Sequence, residues 1–349
     1  MGGFAASILL FLLGVSLTNI GVYFILPLAL LLMLVKTRYL CFAYAGGRIA
    51  LLASFLQLFP DLGSILENTL LEGLLTLHVP GLLSLVAILH FTESILIRYS
   101  GHIHRSPMYV KTPKGEVVGG FTLQAFWPLP LVGLALAAAL QMEITGDTLP
   151  MPDWWPLLGT EWSGFVEDEM VFLMLPLVAW LGYGDIAVST SPLEKARRSS
   201  LTLGIYSLIL LALALLASQY VWLSFPAALF SPLGHEVVIA LGNKREFRGE
   251  SLYGPVERGL RVLDTFPKTY ASKILEPGDV ILSVSGEEIN STQDFWQNLY
   301  KFHPFIYLEV LKPGGRVAKK RVSLPSTDLT KLGVILVPKN PPAYAEIKH

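Results

Sequence analysis

The sequence predicts a polytopic α-helical membrane bundle followed by a small α+β domain. Of the 349 residues, 52% are hydrophobic and only 15% are charged, and the mean hydropathy of +0.54 is well on the apolar side of soluble globular proteins. After Gly242 the composition changes, because charged residues occur regularly and apolar residues begin to alternate. We therefore expect a transmembrane domain over 1–242, a soluble domain over 243–340 and a flexible tail over 341–349.

The first part of the chain holds uncharged stretches near the length of about 20 residues that a helix needs to cross a bilayer. Residues 4–35 lack the basic start of a secretory signal, so we expect them to be retained as one long span or as two short helices broken near Asn19 and Pro27. Residues 49–78 carry acidic side chains among leucines, and either cross as a broken helix or lie at the interface. Together with these two regions, six to eight spans are expected. The other candidate spans are 80–97, 126–142, 170–184, 201–222 and a last, kinked span over 222–241.

Basic residues in short loops predict the orientation, because Lys and Arg remain on the cytoplasmic side of a membrane. Residues 143–169 contain seven acidic side chains and no Lys or Arg, which indicates an outside position. If residues 201–241 form a tight hairpin of two spans, the soluble domain lies in the cytoplasm of a multi-pass protein of the cell membrane. The basic clusters that support this orientation lie at 36–48, 98–114, 195–198 and 244–248.

The C-terminal domain combines strands with two short helices. Strands are predicted from alternating apolar residues at 259–266, 279–286 and 333–337. Residues 269–275 are expected to form a short helix, and a second helix, N-capped by Ser291 or Thr292, runs to about His303. The segments FIYLEVLK and RVAKKRVSL flank a PGG turn and therefore predict a β-hairpin.

This order of elements, with the phrase LEPGDVILSVSG, resembles a PDZ domain of the bacterial type over roughly residues 250–325. The resemblance implies a small β-barrel or sandwich with two helices. PDZ domains bind extended peptides or chain ends by adding a strand to an exposed sheet edge beside a helix. Ile274 and Ser285 depart from the family pattern, which often has glycine and asparagine there, so the ligand stays undetermined.

The PDZ resemblance also implies which residues bind a peptide. The loop at Arg258 and Gly259 would present backbone N–H groups to a terminal carboxylate. The edge strand would consist of Leu260, Arg261, Val262 and Leu263. The groove side of the second helix would consist of Phe295, Trp296 and Leu299, although the two aromatic side chains could instead fill the domain core.

The membrane part carries further recognisable segments: ILHFTESILIRYSGHIHRSPMYV, GEVVGGFTLQAFWPLPL, STSPLEKARRSSL and FSPLGHEVVIAL. These resemble the MinJ-like, multi-spanning, PDZ-bearing membrane proteins of Gram-positive bacteria. The resemblance spans both halves of the chain and implies a scaffold for protein–protein interaction in cell division. Such a scaffold acts in division-site selection or septum and pole topology, and connects the curvature-sensing protein DivIVA to MinD.

The resemblance implies no enzymatic activity and no cofactor, and the formal net charge of −1 gives no overall basic field for nucleic acid. Cys41 is the only cysteine, so an intrachain disulfide is excluded. The expected partners are therefore proteins, peptides and the lipid bilayer.

Ionisable residues within membrane spans are functional candidates. His90 and Glu93 lie three residues apart on one helical face, and His235 and Glu236 lie in the last span. One alternative function is thus an intramembrane metalloprotease, active or degenerate, that selects substrates with its PDZ domain. A transporter or secretion accessory subunit is a third possibility.

The metalloprotease alternative requires the pattern His-Glu-x-x-His, and Ile239 stands where the second histidine should be. A metal site that joins His90 and Glu93 to His235 would need two helices to meet, which no sequence pattern indicates. We therefore expect no catalytic and no metal-binding residues. These side chains are expected to hydrogen-bond one another or to cap broken helices.

Residues 102–124 contain a predicted cytoplasmic β-hairpin, formed by MYVKT, a PKG turn and EVVGGFTL. We expect this hairpin to dock the PDZ domain against the membrane. His102 and His104 are expected to be ordinary loop residues, with metal binding as the alternative.

Overall fold

The computed structural model describes residues 2–59, 66, 69, 71–112, 115–138, 149–159, 170–324 and 329–339. The predicted tail over 341–349 and much of the acidic segment over 143–169 lie outside these residues. The chain forms two compact units. The first comprises Met1–Gly101, Ala125–Tyr183 and Ala196–Gly242, and the second His102–Gln124, Gly184–Lys195 and Asn243–His349. Residues 102–124 and 184–195, assigned above to the transmembrane domain, thus belong to the unit that holds the C-terminal domain.

The helices in the membrane part each contain a long apolar stretch. In chain order they are α1 Gly2–Leu13, α2 Val22–Met33, α3 Phe42–Leu58, α4 Val79–Ser100, α5 Pro192–Gln219 and α6 Ser224–Arg248. Among the described residues, three helical segments are long and apolar enough to cross a membrane: Val79–Ser100, Pro192–Gln219 and Val221–Arg248. The last of these includes the 3₁₀ turn that precedes α6.

The N-terminal stretch forms two short helices rather than one long span. Gly14 follows α1 with a φ of 69°, a left-handed conformation that ends helices and that glycine adopts without steric cost. Asn19 and Gly21 also have positive φ angles, so the chain cannot continue as a helix before α2. The predicted break near Asn19 is confirmed, whereas Pro27 lies inside α2.

Two segments predicted to span the membrane as helices are strands. β2 comprises Val117–Ala138 and β3 comprises Met170–Ala187, so the helical prediction for 126–142 and 170–184 is wrong for their described residues. Hydropathy measures only apolarity, whereas Pro128 and Pro130 lack the amide hydrogen of a helix interior and favour an extended residue before them. With β1, Arg105–Lys111, these strands form a three-stranded sheet in the order β1-β2-β3.

The last two helices form the predicted hairpin, with residues 220–223 between α5 and α6. Ser191 stands before Pro192, and its hydroxyl accepts a hydrogen bond from the Glu194 amide at 3.3 Å, so α5 begins with a side-chain cap and a proline in its first turn. Where α5 and α6 pack together, the Tyr206 hydroxyl donates to the backbone carbonyl of Ser231 at 2.8 Å.

The C-terminal domain is an antiparallel sheet in the order β8-β7-β5-β4-β9, with the short β6 paired to β5. Its described strands form an open sheet rather than a barrel. The strands are β4 Leu260–Thr265, β5 Val280–Val284, β6 Glu287–Glu288, β7 Phe305–Leu311, β8 Val317–Ser323 and β9 Val334–Val337. The predicted strands and hairpin are therefore confirmed.

One α-helix, α7 Thr292–Phe302, packs against this sheet among the described residues. The Asp294 amide donates to the Ser291 hydroxyl and the Ser291 amide donates to the Asp294 carboxylate, both at 3.0 Å, so Ser291 is the N-cap of a capping box. The other predicted helix, over 269–275, is only a 3₁₀ turn at Ala271–Lys273.

The predicted hairpin over 102–124 is present and contacts the C-terminal domain, whereas its docking of that domain against the membrane stays a prediction. The Tyr109 hydroxyl donates to the Leu336 carbonyl at 2.8 Å, and the Gly119 amide donates to the Tyr253 carbonyl at 2.9 Å. The ring of Phe121, which is fully buried, meets the ring of Tyr253 edge-on at 5.1 Å and packs in one apolar cluster with Leu263. The folded body of the second unit is thus larger than the PDZ-like module alone.

We predict that Phe121→Ala frees this hairpin from the module. Loss of a fully buried phenylalanine costs about 3–5 kcal/mol, enough to raise exchange of the amides it protects by more than about 100-fold. Hydrogen exchange of the full chain in detergent should show residues 117–123 and 250–256 losing protection together. Phe305→Ala is the control, because Phe305 is exposed on the same unit. Exchange of 117–123 at the rate of a free hairpin in the unmodified chain would contradict the docked arrangement.

Candidate functional site

The strand predicted to be the open peptide-binding edge is an interior strand. Arg261 in β4 pairs with Val280 of β5 on one side and with Val337 of β9 on the other. The prediction that residues 260–263 form a free edge is therefore wrong, because the C-terminal strand occupies the side left for a peptide. The end strands of this sheet are β8 and β9.

The side chains predicted to line the groove are mainly core residues. Phe295 and Leu299 on α7 are fully buried, as are Leu260 and Val262 on β4. The alternative expectation, that aromatic side chains of this helix fill the domain core, therefore holds for Phe295. Trp296 is half-buried, with its ring edge-on to Phe295 at 5.2 Å.

The predicted carboxylate loop borders a pocket of about 280 Å³ on the second unit. Gly259 itself has a φ of 82°, and a Cβ there would lie 2.4 Å from the Ile281 carbonyl oxygen, so only glycine fits. The pocket combines basic side chains with glycine-rich backbone. Its lining residues are Val256, Arg258, Arg261, Gly278, Val280, Leu311, Lys312, Pro313, Gly314 and Gly315.

Arg261 is the cation of this pocket that lacks a carboxylate partner among the described residues. Its Nε donates to the Gly254 carbonyl at 2.8 Å and its Nη1 donates to the Gly278 carbonyl at 3.3 Å. Burial lowers the pKa of Arg261, because carbonyl dipoles only partly replace water around the guanidinium. An anion that enters the pocket would find a cation that is only partly compensated.

The other two basic side chains of the pocket are already paired. Lys312 Nζ lies 3.0 Å from a Glu276 oxygen and 2.9 Å from an oxygen of the buried Asp279. Burial opposes the charge of Lys312, but these two contacts raise its pKa overall. Arg258 is exposed and lies 2.8 Å from Glu288, an ion pair open to solvent that an incoming carboxylate can replace at little cost.

The first unit contains a separate cluster of polar side chains. Cys41 Sγ lies 3.1 Å from His90 Nε2 and 3.9 Å from His235 Nε2. The three residues come from three segments, since Cys41 directly precedes α3, His90 lies in α4 and His235 lies in α6. The structure therefore brings together the two histidines that no sequence pattern could join, and it adds Cys41, which was considered only for disulfides.

Glu236, beside His235, bonds to residues other than the histidines. Glu236 accepts a hydrogen bond from the Tyr44 hydroxyl at 2.6 Å and pairs with Arg38 at 2.8 Å. Glu93 is buried on the same face of α4 as His90. Since both oxygens of Glu236 are engaged, the arrangement gives no support to the protease alternative, in which this carboxylate would act as a general base.

Comparison with known proteins identifies a remote relative. The chain is 22% identical over 261 residues, 74% of its length, to the cell division topological determinant MinJ of Bacillus subtilis (strain 168). This chain is similar to MinJ over most of its length. The match covers 62% of MinJ, so more than a third of that protein has no counterpart here. No family model matches the chain.

PDZ domains are found among its structural neighbours. Crystal structures of the PDZ domains of SdrC-like proteins from Listeria monocytogenes and Listeria innocua are each 20% identical to the matched part. They cover 23% and 22% of this chain and 90% and 92% of the PDZ chains, with TM-scores of 0.21 and 0.20. The matched segment is about as long as one PDZ domain, and the similarity does not indicate which ligand this chain binds.

We predict that Gly259→Ala destabilises the second unit more than Gly286→Ala. Both glycines have positive φ, so alanine at either position adds backbone strain of about 1–2 kcal/mol. Only at position 259 does the new Cβ meet backbone atoms, which adds about 1–3 kcal/mol, whereas nothing lies within 4 Å at position 286. Urea unfolding of the full chain in detergent measures the difference. Equal midpoints for the two variants would contradict the packing around Gly259.

Proposed function

We propose that this chain is a membrane-anchored scaffold, without catalytic activity, that recruits protein partners to the site of cell division or to the pole. The observation that carries this proposal is the extent of the similarity to MinJ. The match includes 74% of 349 residues, or about 258, whereas only 242 residues precede Asn243. The shared region must therefore extend past Gly242, into the C-terminal segment of the second unit.

The PDZ-like module is proposed to lie in the cytoplasm. The last turn of α6 carries Arg245 and Arg248, and further basic residues, Arg197 and Arg198, lie in the first half of α5. Basic residues at these helix ends favour a cytoplasmic position for both ends of the α5–α6 hairpin. A module held at the inner face of the membrane meets other membrane-associated proteins at high effective concentration, so a modest affinity is sufficient for recruitment.

The pocket beside Gly259 is the proposed docking point, since the β4 edge is occupied. Arg261 offers a guanidinium compensated only by carbonyl groups, and Arg258 offers an exposed guanidinium at the rim. A carboxylate, from a chain end or from an acidic side chain, matches the fork of N–H donors that arginine presents. Half-buried Trp296 remains the groove residue of α7 that a partner can still reach.

We predict that Arg258→Ala weakens partner recruitment and that Lys301→Ala does not. Each change removes an exposed cation and leaves one glutamate of β6 unpaired, because Arg258 pairs with Glu288 at 2.8 Å and Lys301 pairs with Glu287 at 3.2 Å. Loss of one charge-assisted hydrogen bond lowers affinity by about 10- to 100-fold.

Binding of MinD and DivIVA to the full chain in lipid nanodiscs measures this effect, because these are the partners that the sequence resemblance implies. Equal losses in the two variants would mean that surface charge in general is responsible. Unchanged binding in Arg258→Ala would remove the pocket from the mechanism without affecting the wider scaffold proposal.

The wider proposal is tested in cells. A fluorescent fusion of the full chain is expected to concentrate at division sites or poles, and deletion of the gene is expected to displace septa and broaden the distribution of cell lengths. The full chain should restore normal septa, whereas a chain ending at Arg248, which keeps α6 whole, should reach the membrane without restoring them. An even distribution of the fusion around the membrane, together with normal septa after deletion, would overturn the scaffold function.

A further inference from the structure

We propose that Cys41, His90 and His235 bind a zinc ion that joins three segments of the first unit. This inference is independent of the scaffold function, since it concerns a different unit and needs no partner. Each residue contributes one donor atom of a type that zinc prefers, a thiolate sulfur or an imidazole nitrogen.

The three donor atoms have the spacing of metal ligands. All lie within 4.8 Å of one another, and the two distances from Cys41 Sγ are 3.1 Å to His90 Nε2 and 3.9 Å to His235 Nε2. In a tetrahedral site with Zn–S near 2.3 Å and Zn–N near 2.0–2.1 Å, neighbouring sulfur and nitrogen atoms are about 3.5 Å apart. The two observed distances lie on either side of this value, so they are compatible with one sulfur and two nitrogens bound to the same ion.

A second contact orients His90 toward the cluster. Its Nδ1 lies 2.8 Å from the Val86 carbonyl oxygen, one turn earlier in α4, and only a protonated Nδ1 can bond to that oxygen. Nε2, which faces Cys41, then carries the lone pair. Metal-binding histidines commonly donate their other ring N–H to a carbonyl in this way.

A hydrogen bond without metal explains only part of the cluster. A Cys41 thiol that donates to His90 accounts for the 3.1 Å contact, but the longer 3.9 Å distance leaves His235 weakly held. His235 Nδ1 is buried and has no hydrogen-bond partner among the described residues. A shared ion provides a reason for His235 to turn its Nε2 toward the same point, because it bonds to all three donors.

Aromatic side chains surround the cluster without competing for the ion. Tyr44 and Tyr206 meet the His235 ring edge-on at 5.2 and 5.6 Å, and their hydroxyls donate to Glu236 and to the Ser231 carbonyl. His90 is almost fully buried. One sulfur and two nitrogen ligands suit zinc rather than magnesium or calcium, and they leave the fourth position for water.

An ion bound by three segments would stabilise a unit that lies in the membrane. Helices in lipid gain no hydrophobic free energy from association, so packing and polar contacts must hold them together. The three ligands are 49 and 145 residues apart along the chain, which lets one ion fix segments that the loops between them do not constrain.

The metal content of the full chain tests the proposal. After purification in detergent, removal of any histidine tag and desalting, we expect about one zinc per chain by mass spectrometry. Cys41→Ser, His90→Gln and His235→Gln should each lower zinc retention at least about tenfold. His78→Gln is the matched control, because His78 is a buried histidine of the same unit outside the cluster. Copper in place of zinc at this ratio would overturn the assignment to zinc.

Cobalt substitution gives a test that does not depend on the folding of any variant. Because Cys41 is the only cysteine, a thiolate-to-cobalt charge-transfer band in the unmodified chain can come only from Cys41. We expect this band together with the absorption of tetrahedral cobalt, and its loss when zinc is added. An unmodified chain that retains no zinc and gives no charge-transfer band would leave a hydrogen-bonded cluster and overturn the proposal, even if Cys41→Ser lowers thermal stability.

Discussion

In the apolar first unit, several polar side chains bond to segments far away in the chain, and these contacts connect its helices at defined points. The Ser231 hydroxyl on α6 donates to the Ala43 carbonyl on α3 at 3.0 Å, and the Tyr44 hydroxyl on α3 donates to Glu236 on α6. An unpaired hydroxyl or carboxylate in a medium without water costs several kcal/mol. The Cys41–His90–His235 cluster follows the same rule at the point where α3, α4 and α6 converge.

The second unit meets a related constraint at its sheet edges. An exposed strand edge is a template for pairing with any other chain, and β9 removes that hazard from β4. Glu246 is buried and accepts bonds from the Val188 and Ser189 amides and the Ser189 and Thr190 hydroxyls, which holds residues 184–195 on this unit. Because the β4 edge is occupied, the proposed recognition uses side chains around the pocket rather than the backbone of β4.

Local patterns in the sequence predicted local structure well. The capping box at Ser291 and the alternating strand β7 depend on residues close in the chain, and both were predictable. Pro128 and Pro130 were equally local, but a hydropathy window does not weigh them, so β2 was mistaken for a helix. The pairing of β4 with β9 and the meeting of Cys41 with two distant histidines depend on tertiary packing. No pattern within one segment encodes such contacts.

Polar side chains hold helices together in the first unit and line the proposed recognition pocket in the second, so substitutions in the two units are expected to act differently. In the first unit, polar contacts and the proposed ion hold helices that gain nothing from hydrophobic association, so their loss lowers the amount of folded protein in the membrane. Around the pocket, Arg258 is exposed and its ion pair adds little to stability, so its loss is expected to change the proposed recognition while the fold persists. Substitutions in the first unit are therefore expected to change protein abundance, and substitutions at the pocket are expected to change partner affinity. A variant that lowers both would indicate that recognition depends on the stability of the membrane helices rather than on the pocket alone.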